Sequence, residues 1–196
     1  MGPSDTTSVK PRDRILDAAR DLFRKHGIRG VGVDAIASAA DSNKMTLYRH
    51  FGSKEDLIVA CLQEATREFD EFWEDIRARN PHDPEAQLTD WIDRVAAGLR
   101  DAVDCNCEML AAAFQLVPDG GSALKVINDF KARQRDRLAQ LCRSAGVTDY
   151  ELLTTTLVLL IEGARSNRQS MGADGPSAQF ASVAHATVKL FKSKAR

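Results

Sequence analysis

Three consecutive turn-favouring residues, Asp41-Ser42-Asn43, interrupt two short stretches of helical periodicity, and this break constrains the fold more than any other feature of the chain. Before it, Val33, Ile36, Ala37 and Ala40 recur at helical spacing. After it, Leu47 and Phe51 stand four apart and share one helix face, while Lys44, Met45, Tyr48 and Arg49 point the other way. Asn43 is a favourable N-cap for this second helix. Upstream, Pro11 to His26 reads as a longer helix with Ile15, Ala19, Leu22 and Phe23 on its apolar face, stopped by Gly27. A long helix, a short helix, a three-residue turn and a short basic helix form the order of a helix-turn-helix.

The basic helix has the chemistry that phosphate binding needs. Between Lys44 and Lys54 the charged side chains are Lys44, Arg49 and Lys54, with titratable His50 among them and no acid. Lysine and arginine neutralise phosphate charge, while tyrosine and threonine hydroxyls hydrogen-bond its oxygens and fix register. The plainer alternative is a solvated face that happens to carry three bases. The helical pattern upstream favours the first reading, with Lys44, Met45 and Thr46 at the end that reaches base edges.

The stretch PRDRILDAARDLFRKHGIRGVGVDAIASAADSNKMTLYRHFGSKEDLI, residues 11 to about 60, resembles the DNA-binding domain of the tetracycline-repressor (TetR) family of bacterial regulators. The likeness rests on an alanine-rich first helix ending in Gly, the Ile36-Ala37 pair, and the order Leu-Tyr-x-His-Phe followed by x-x-Lys-x-x-Leu. It implies that Tyr48, His50 and Lys54 contact phosphates, that Lys44, Met45 and Thr46 face bases, and that Leu47, Phe51, Ile36 and Phe23 hold a three-helix core. Two positions depart from the family pattern. Asp41 and Ser42 stand where a Gly and a small apolar residue are usual, and Gly32 stands where a Thr often caps the second helix. Asp tolerates the left-handed conformation better than most residues, and Gly at an N-cap costs only a few tenths of a kcal/mol, about 0.3.

The 196 residues suffice for one small domain and a larger one. The expected division is a disordered polar arm over 1–10, the helix-turn-helix domain over 11–56, and an effector-binding and dimerisation domain over 57–196. The net charge of −1 looks unlike a DNA binder until it is divided. Residues 1–56 hold ten Lys/Arg against eight Asp/Glu, or +2, which leaves 17 against 20, or −3, for the rest. Affinity must then come from a few placed bases and from dimerisation, not from a bulk field. The longest strongly apolar run, Leu157 to Ile161, is too short to span a bilayer, and the N-terminus lacks a secretory apolar stretch. A cytoplasmic protein without membrane contact is expected.

Four cysteines, Cys61, Cys105, Cys107 and Cys142, form no CxxC zinc pattern, and neither a metal nor a cofactor is expected. Cys105 and Cys107 are close enough to sense oxidants or soft metals if their thiols were acidified; buried, inert cysteine is the commoner role. Beyond residue 60 the periodicity is helical throughout, without strand alternation. The expected helices are Lys54 to about Arg79, Pro84 to about Val103, Glu108–Val117, Ser122 to Ser144, 150–171 and 177–192, with a break at Pro118-Asp119-Gly120-Gly121. The fold class is therefore all-α, a three-helix DNA-binding domain followed by a helical bundle.

In the penultimate helix, Leu157, Val158 and Ile161 belong to an apolar surface that extends over most of the girth and needs cover on two sides. Phe180, Val183, Ala184, Thr187 and Phe191 form a second stripe on the last helix. A homodimer through these two helices supplies the cover, as the family resemblance also implies; packing within a monomer is the alternative. The resemblance further implies an effector cavity in the larger domain, for which Trp91, Cys107, Met109, Phe114 and Leu160 offer apolar walls and Gln115 and Glu162 polar contacts. Glu162 can instead pair with Arg165 three residues on. The reading is a homodimeric repressor released from operator double-stranded DNA by a small, mostly apolar effector. The alternatives are a cysteine-based redox or soft-metal sensing repressor and an enzyme with Cys107 as nucleophile and Glu162 as acid/base. The enzyme reading finds no positioned Cys–His pair, phosphate loop or metal cluster in the sequence.

Overall fold

The computed structural model describes residues 10–100 and 121–193. The expected helix over 108–117 lies outside the described residues, as do Cys105, Cys107, Met109, Phe114 and Gln115. The described helices are α1 (Pro11–His26), α2 (Val33–Ala39), α3 (Lys44–Phe51), α4 (Lys54–Arg79), α5 (Pro84–Arg100), α6 (Gly121–Ser144), α7 (Tyr150–Met171) and α8 (Phe180–Ser193), with a 3-10 turn at Pro176–Gln179 before α8. No strand occurs among the described residues, so the chain is all-α. The sequence pattern places the start of the last helix at 177. Gly175 is extended there, Pro176 opens a tighter turn, and the Ala178 N–H closes on the Gly175 carbonyl at 3.0 Å, so the α-helix begins only at Phe180.

The described residues fall into two compact units. The first holds residues 10–67 with 121–128. In it α1 starts on Pro11, which gives up no needed N–H, and carries Asp13 in its first turn and Arg24, Lys25 and His26 in its last, matching the helix dipole. It ends at Gly27, whose φ of 73° lets its N–H return to the Phe23 carbonyl. Ile15, Leu16, Ala19 and Phe23 from α1 are buried with Ile36 and Ala37 of α2 and Leu47 and Phe51 of α3. This apolar centre includes Phe23, Ile36, Leu47 and Phe51, the residues that the sequence assigns to it. Leu57, Ile58, Cys61 and Leu62 of α4 are buried in the same unit. The Glu55 carboxylate accepts from the Ser122 N–H at 3.3 Å and its hydroxyl at 2.8 Å, satisfying donors of the first turn of α6.

The second unit holds residues 68–100 with 129–193. Its core gathers Trp73 and Ile76 of α4, Leu88, Trp91, Ile92 and Leu99 of α5, Leu138, Leu141 and Cys142 of α6, Leu153, Leu157 and Ile161 of α7, and Phe180 and Ala184 of α8. Trp73 and Trp91 stack with ring centroids 6.4 Å apart, and the Trp73 indole N–H donates to Gln134. Arg168 of α7 donates to the Leu99 carbonyl at 3.0 Å and to the Arg100 carbonyl at 3.4 Å, tying α7 to the last described turn of α5.

Candidate nucleic-acid interface

The basic helix α3 is fixed at both ends by side chains and backbone that the local sequence supplies. Asn43 accepts the Thr46 N–H on its Oδ1 at 2.9 Å, a true N-cap, and Gly52 at φ 74° closes the other end on the Tyr48 carbonyl at 2.8 Å. Ser53 then caps α4, its Oγ accepting the Asp56 N–H at 3.0 Å. The turn before α3 holds Asp41 at φ 48°, the one described residue other than glycine with positive φ. Its geometry returns the Ser42 N–H to the Ala37 carbonyl at 2.9 Å. Arg14 of α1 braces this turn, donating to the carbonyls of Ala40 at 3.1 Å and Asp41 at 3.3 Å.

With Leu47 and Phe51 buried beneath it, α3 turns Lys44, Met45, Tyr48, Arg49 and His50 to the outside, and Thr46 is half-buried. Met45 is 79% exposed, a large apolar side chain left in water on a short cationic helix. The His50 ring meets the Phe51 ring edge-on, with centroids 6.5 Å apart. Lys54 is half-buried; its Nζ donates to the Ile28 carbonyl at 2.8 Å, and burial lowers its pKa from the ordinary lysine value. Lys44 Nζ lies 3.4 Å from Asp34 Oδ2 on α2. Sequence reading missed the Asp34 and Arg14 contacts, because each joins residues ten or more apart that only the tertiary fold brings together. The arrangement presents cations, hydroxyls and one apolar side chain on a helix of a size that enters the major groove, with the means both to neutralise phosphates and to touch base edges.

In the second unit, Trp91 is buried in the core against Trp73, and Leu160 is half-buried against that core. Glu162 lies 3.8 Å from Lys131 and 3.7 Å from Arg165, the pairing anticipated as its plainer role. Leu157, Ile161, Phe180 and Ala184 are buried inside the chain's own core, whereas Val158, Thr187 and Phe191 are half-buried and Val183 is exposed. The stripes predicted for an interface thus contain an inward face that a partner cannot reach. The large apolar side chains left exposed on α7 and α8 are Leu152, Leu159, Met171, Val183 and Leu190. Leu152 and Leu159 are seven apart on α7, and Val183 and Leu190 seven apart on α8, so each pair lies along one helix face. Among the described residues no three His, Cys, Asp or Glu side chains gather as a metal site requires. No helix among them is long and apolar enough to cross a membrane.

The profile for "Bacterial regulatory proteins, tetR family" matches residues 15–61, which hold most of α1, all of α2 and α3, and the first turns of α4. The HTH-type transcriptional repressor SCO4008 of Streptomyces coelicolor is 34% identical over 95 residues, 48% of this chain and 44% of its own length. UidR, an HTH-type transcriptional regulator of Escherichia coli K12, is 39% identical over 77 residues, 39% of each chain. The matched part thus spans less than half the length of these curated relatives. Likeness in structure runs further: SCO4454, a TetR-family transcriptional regulator from Streptomyces coelicolor, superposes with a TM-score of 0.81 at 25% identity, covering 92% of this chain and 93% of that one.

Proposed function

We propose, for a chain that belongs to the TetR family of bacterial transcriptional regulators, that it is a homodimeric repressor released from its operator by a small, mostly apolar effector. The observation that carries the DNA-binding part is the outer face of α3, where Lys44, Met45, Tyr48, Arg49 and His50 stand exposed on a buried Leu47–Phe51 anchor. In this reading Tyr48, His50 and Lys54 hold phosphates, and Lys44, Met45 and Thr46 read bases. Residues 11–56 form the DNA head and 57–196 the effector-binding and dimerisation part, and the protein works in the cytoplasm beside its operator.

The dimer reading is supported by the exposed face of the last two helices. Leu159 is 66% exposed and Leu190 is 62% exposed, each one heptad from another apolar side chain on its helix. Two copies meeting through α7 and α8 form a four-helix arrangement that covers both rows, with Val183 in the seam and the small, open Gly163 allowing close approach. Leu157, Ile161, Phe180 and Ala184 support that surface from beneath.

Release follows from the geometry of two heads on one duplex. The recognition helices of a dimer enter successive major grooves roughly 34–36 Å apart, so a change of a few ångströms in their spacing breaks simultaneous contact. An effector in the second part, contacting Trp91, Leu160 or Glu162, shifts the equilibrium only by its differential affinity for the two forms, typically about 1–3 kcal/mol. By reciprocity, operator DNA weakens effector binding by the same factor. The test is thermal-shift screening of a metabolite library, followed by calorimetry of each hit with and without operator. A compound that binds equally in both cases is not the inducer, and a library without any coupled hit that loosens operator binding removes the ligand-gated reading.

A further inference from the structure

We propose that Asp34 is a base-reading residue, its carboxylate and the Lys44 ammonium together addressing a single G·C pair in the major groove. The inference rests on the DNA-binding reading of α3 and adds to it a residue from the preceding helix and the identity of one base pair.

Asp34 lies in the first turn of α2, and its side chain is 79% exposed. The α2 dipole accounts for an acid at that position. It does not account for the acid meeting the first residue of α3, ten positions later. Lys44 Nζ stands 3.4 Å from Asp34 Oδ2, and both groups face water. Such an exposed pair contributes little to stability. On a surface made for phosphates a carboxylate that occupies one of the cations weakens binding to every sequence, so Asp34 is a liability unless it earns discrimination.

The pair carries a donor and an acceptor side by side, which is what one base pair requires. In the major groove a G·C pair shows guanine N7 and O6 as acceptors and the cytosine N4 amino group as donor. Guanine O6 and cytosine N4 are hydrogen-bonded to each other and so stand roughly 2.9 Å apart. The 3.4 Å between Lys44 Nζ and Asp34 Oδ2 is close to that spacing. Lys44 therefore donates to guanine O6 and N7 while Asp34 accepts from cytosine N4. An A·T pair is a poorer match. Its amino group on adenine sits beside the N7 acceptor, which repels a carboxylate, and its thymine offers Lys44 one acceptor next to a methyl group. The methyl group suits a different neighbour, Met45, which projects its apolar side chain from the next position of α3.

The test is selection from a random duplex library with the full-length wild-type protein and with Asp34→Ala and Asp34→Asn, followed by anisotropy titrations on the selected duplex and its single-pair variants. The wild type is expected to select a G·C pair in each half-site, favoured by about five-fold or more over A·T. Asp34→Ala weakens that preference to the part that Lys44 alone gives on guanine, keeps the preferences at other positions, and binds unrelated DNA more tightly because a negative charge is gone. Asp34→Asn, which retains an acceptor and gains an amide donor, extends acceptance to adenine at the same position. If Asp34→Ala instead raises affinity for all duplexes alike with the selected sequence unchanged, Asp34 is only a repelling charge and the proposal is overturned. Identical profiles for Asp34→Ala and Asp34→Asn with the G·C preference intact overturn it too. A wild-type protein that selects no sequence at all defeats the DNA-binding reading itself, a result recognisable before any variant is made.

Discussion

Lys54 holds its ammonium 2.8 Å from the Ile28 carbonyl, so the cation expected on a phosphate also ties the first turn of α4 to the loop after α1. Loss of water around it lowers its pKa. For a lysine this means that the folded state holds the proton less tightly than the unfolded chain, so the buried charge costs stability at neutral pH. That cost is relieved as pH rises toward 10.5, the ordinary value. If Lys54 contacts a phosphate, the same shift predicts that the contact fades at a lower pH than for a free lysine. Lys54→Ala should weaken binding to operator and unrelated DNA alike and lower the salt slope by about one unit. Lys54→Arg, which stays charged, should flatten the alkaline loss expected of the wild type. Anisotropy across salt and pH series checks both, and an unchanged salt slope for Lys54→Ala would leave Lys54 only its structural tie.

The Arg14 brace on the turn gives a second prediction. Two carbonyls around a left-handed Asp41 take the guanidinium, the Ala40 bond partly buried and the Asp41 bond exposed, and a hydrogen bond to a charged group is worth roughly 1.5–3 kcal/mol. Arg14→Ala should therefore destabilise the first unit by about 2 kcal/mol and loosen the placement of α3. Asp41→Gly removes the strain of a positive φ and should regain about 1 kcal/mol. Because both residues act on one turn, the double variant should lose less than the sum of the two. Urea denaturation of the four proteins measures the coupling; strict additivity would mean that Arg14 does not support this turn.

How much of this was legible in the sequence depended on the range of the interaction. The burial of Phe23, Ile36, Leu47 and Phe51 follows from spacing along single helices, and the Asn43 cap is a contact over three residues. Local rules reach that far. The Arg14–Ala40, Lys54–Ile28 and Lys44–Asp34 contacts join residues from ten to 26 apart, and no periodicity encodes them. In α7 the pattern revealed an apolar girth but not its inner side. Leu157 and Leu159 are both leucines two positions apart, and only the packing of α5, α6 and α8 decides that the first is buried and the second exposed. The same limit applies to Trp91, whose stacking on Trp73 of another helix is invisible from either residue alone.

Thiol chemistry provides the third prediction and bears on redox sensing. Cys61 and Cys142 are buried, and burial pushes the Cys142 thiol up to about 11 from 9.0, with a hydrogen bond between Cys142 and Thr154 offsetting part of the effect. The folded state then holds the thiol proton more tightly than the unfolded chain, so Cys142 contributes stability that is present below pH 9.0 and is lost as pH rises toward about 11. At neutral pH the raised pKa keeps the thiol protonated and so poorly nucleophilic. In a protein carrying Cys105→Ser and Cys107→Ser, thiol reagents at neutral pH should label neither remaining cysteine until denaturant is added. Rapid labelling of native Cys142 would contradict the buried, inert assignment.

The final prediction separates the inner and outer faces of α7. Leu157 is fully buried in the chain's own core, so Leu157→Glu places an unpaired carboxylate there and costs several kcal/mol, roughly 3–5. That variant should be unfolded or insoluble. Leu159 is 66% exposed on the single chain, and Leu159→Glu should leave the helical fold and its melting profile of a lone subunit intact. At a dimer interface the same change buries a carboxylate from each subunit, and the protein should run as a folded monomer in light scattering. Monomers lose simultaneous contact with both half-sites, so operator affinity should fall by about 10²–10⁴-fold while the weak binding of one head to a half-site persists. Leu190→Glu on α8 should behave in the same way. If Leu159→Glu and Leu190→Glu both remain dimeric, the interface does not use the outer face of the last two helices. A wild-type protein that is monomeric at micromolar concentration would dispose of the dimer altogether.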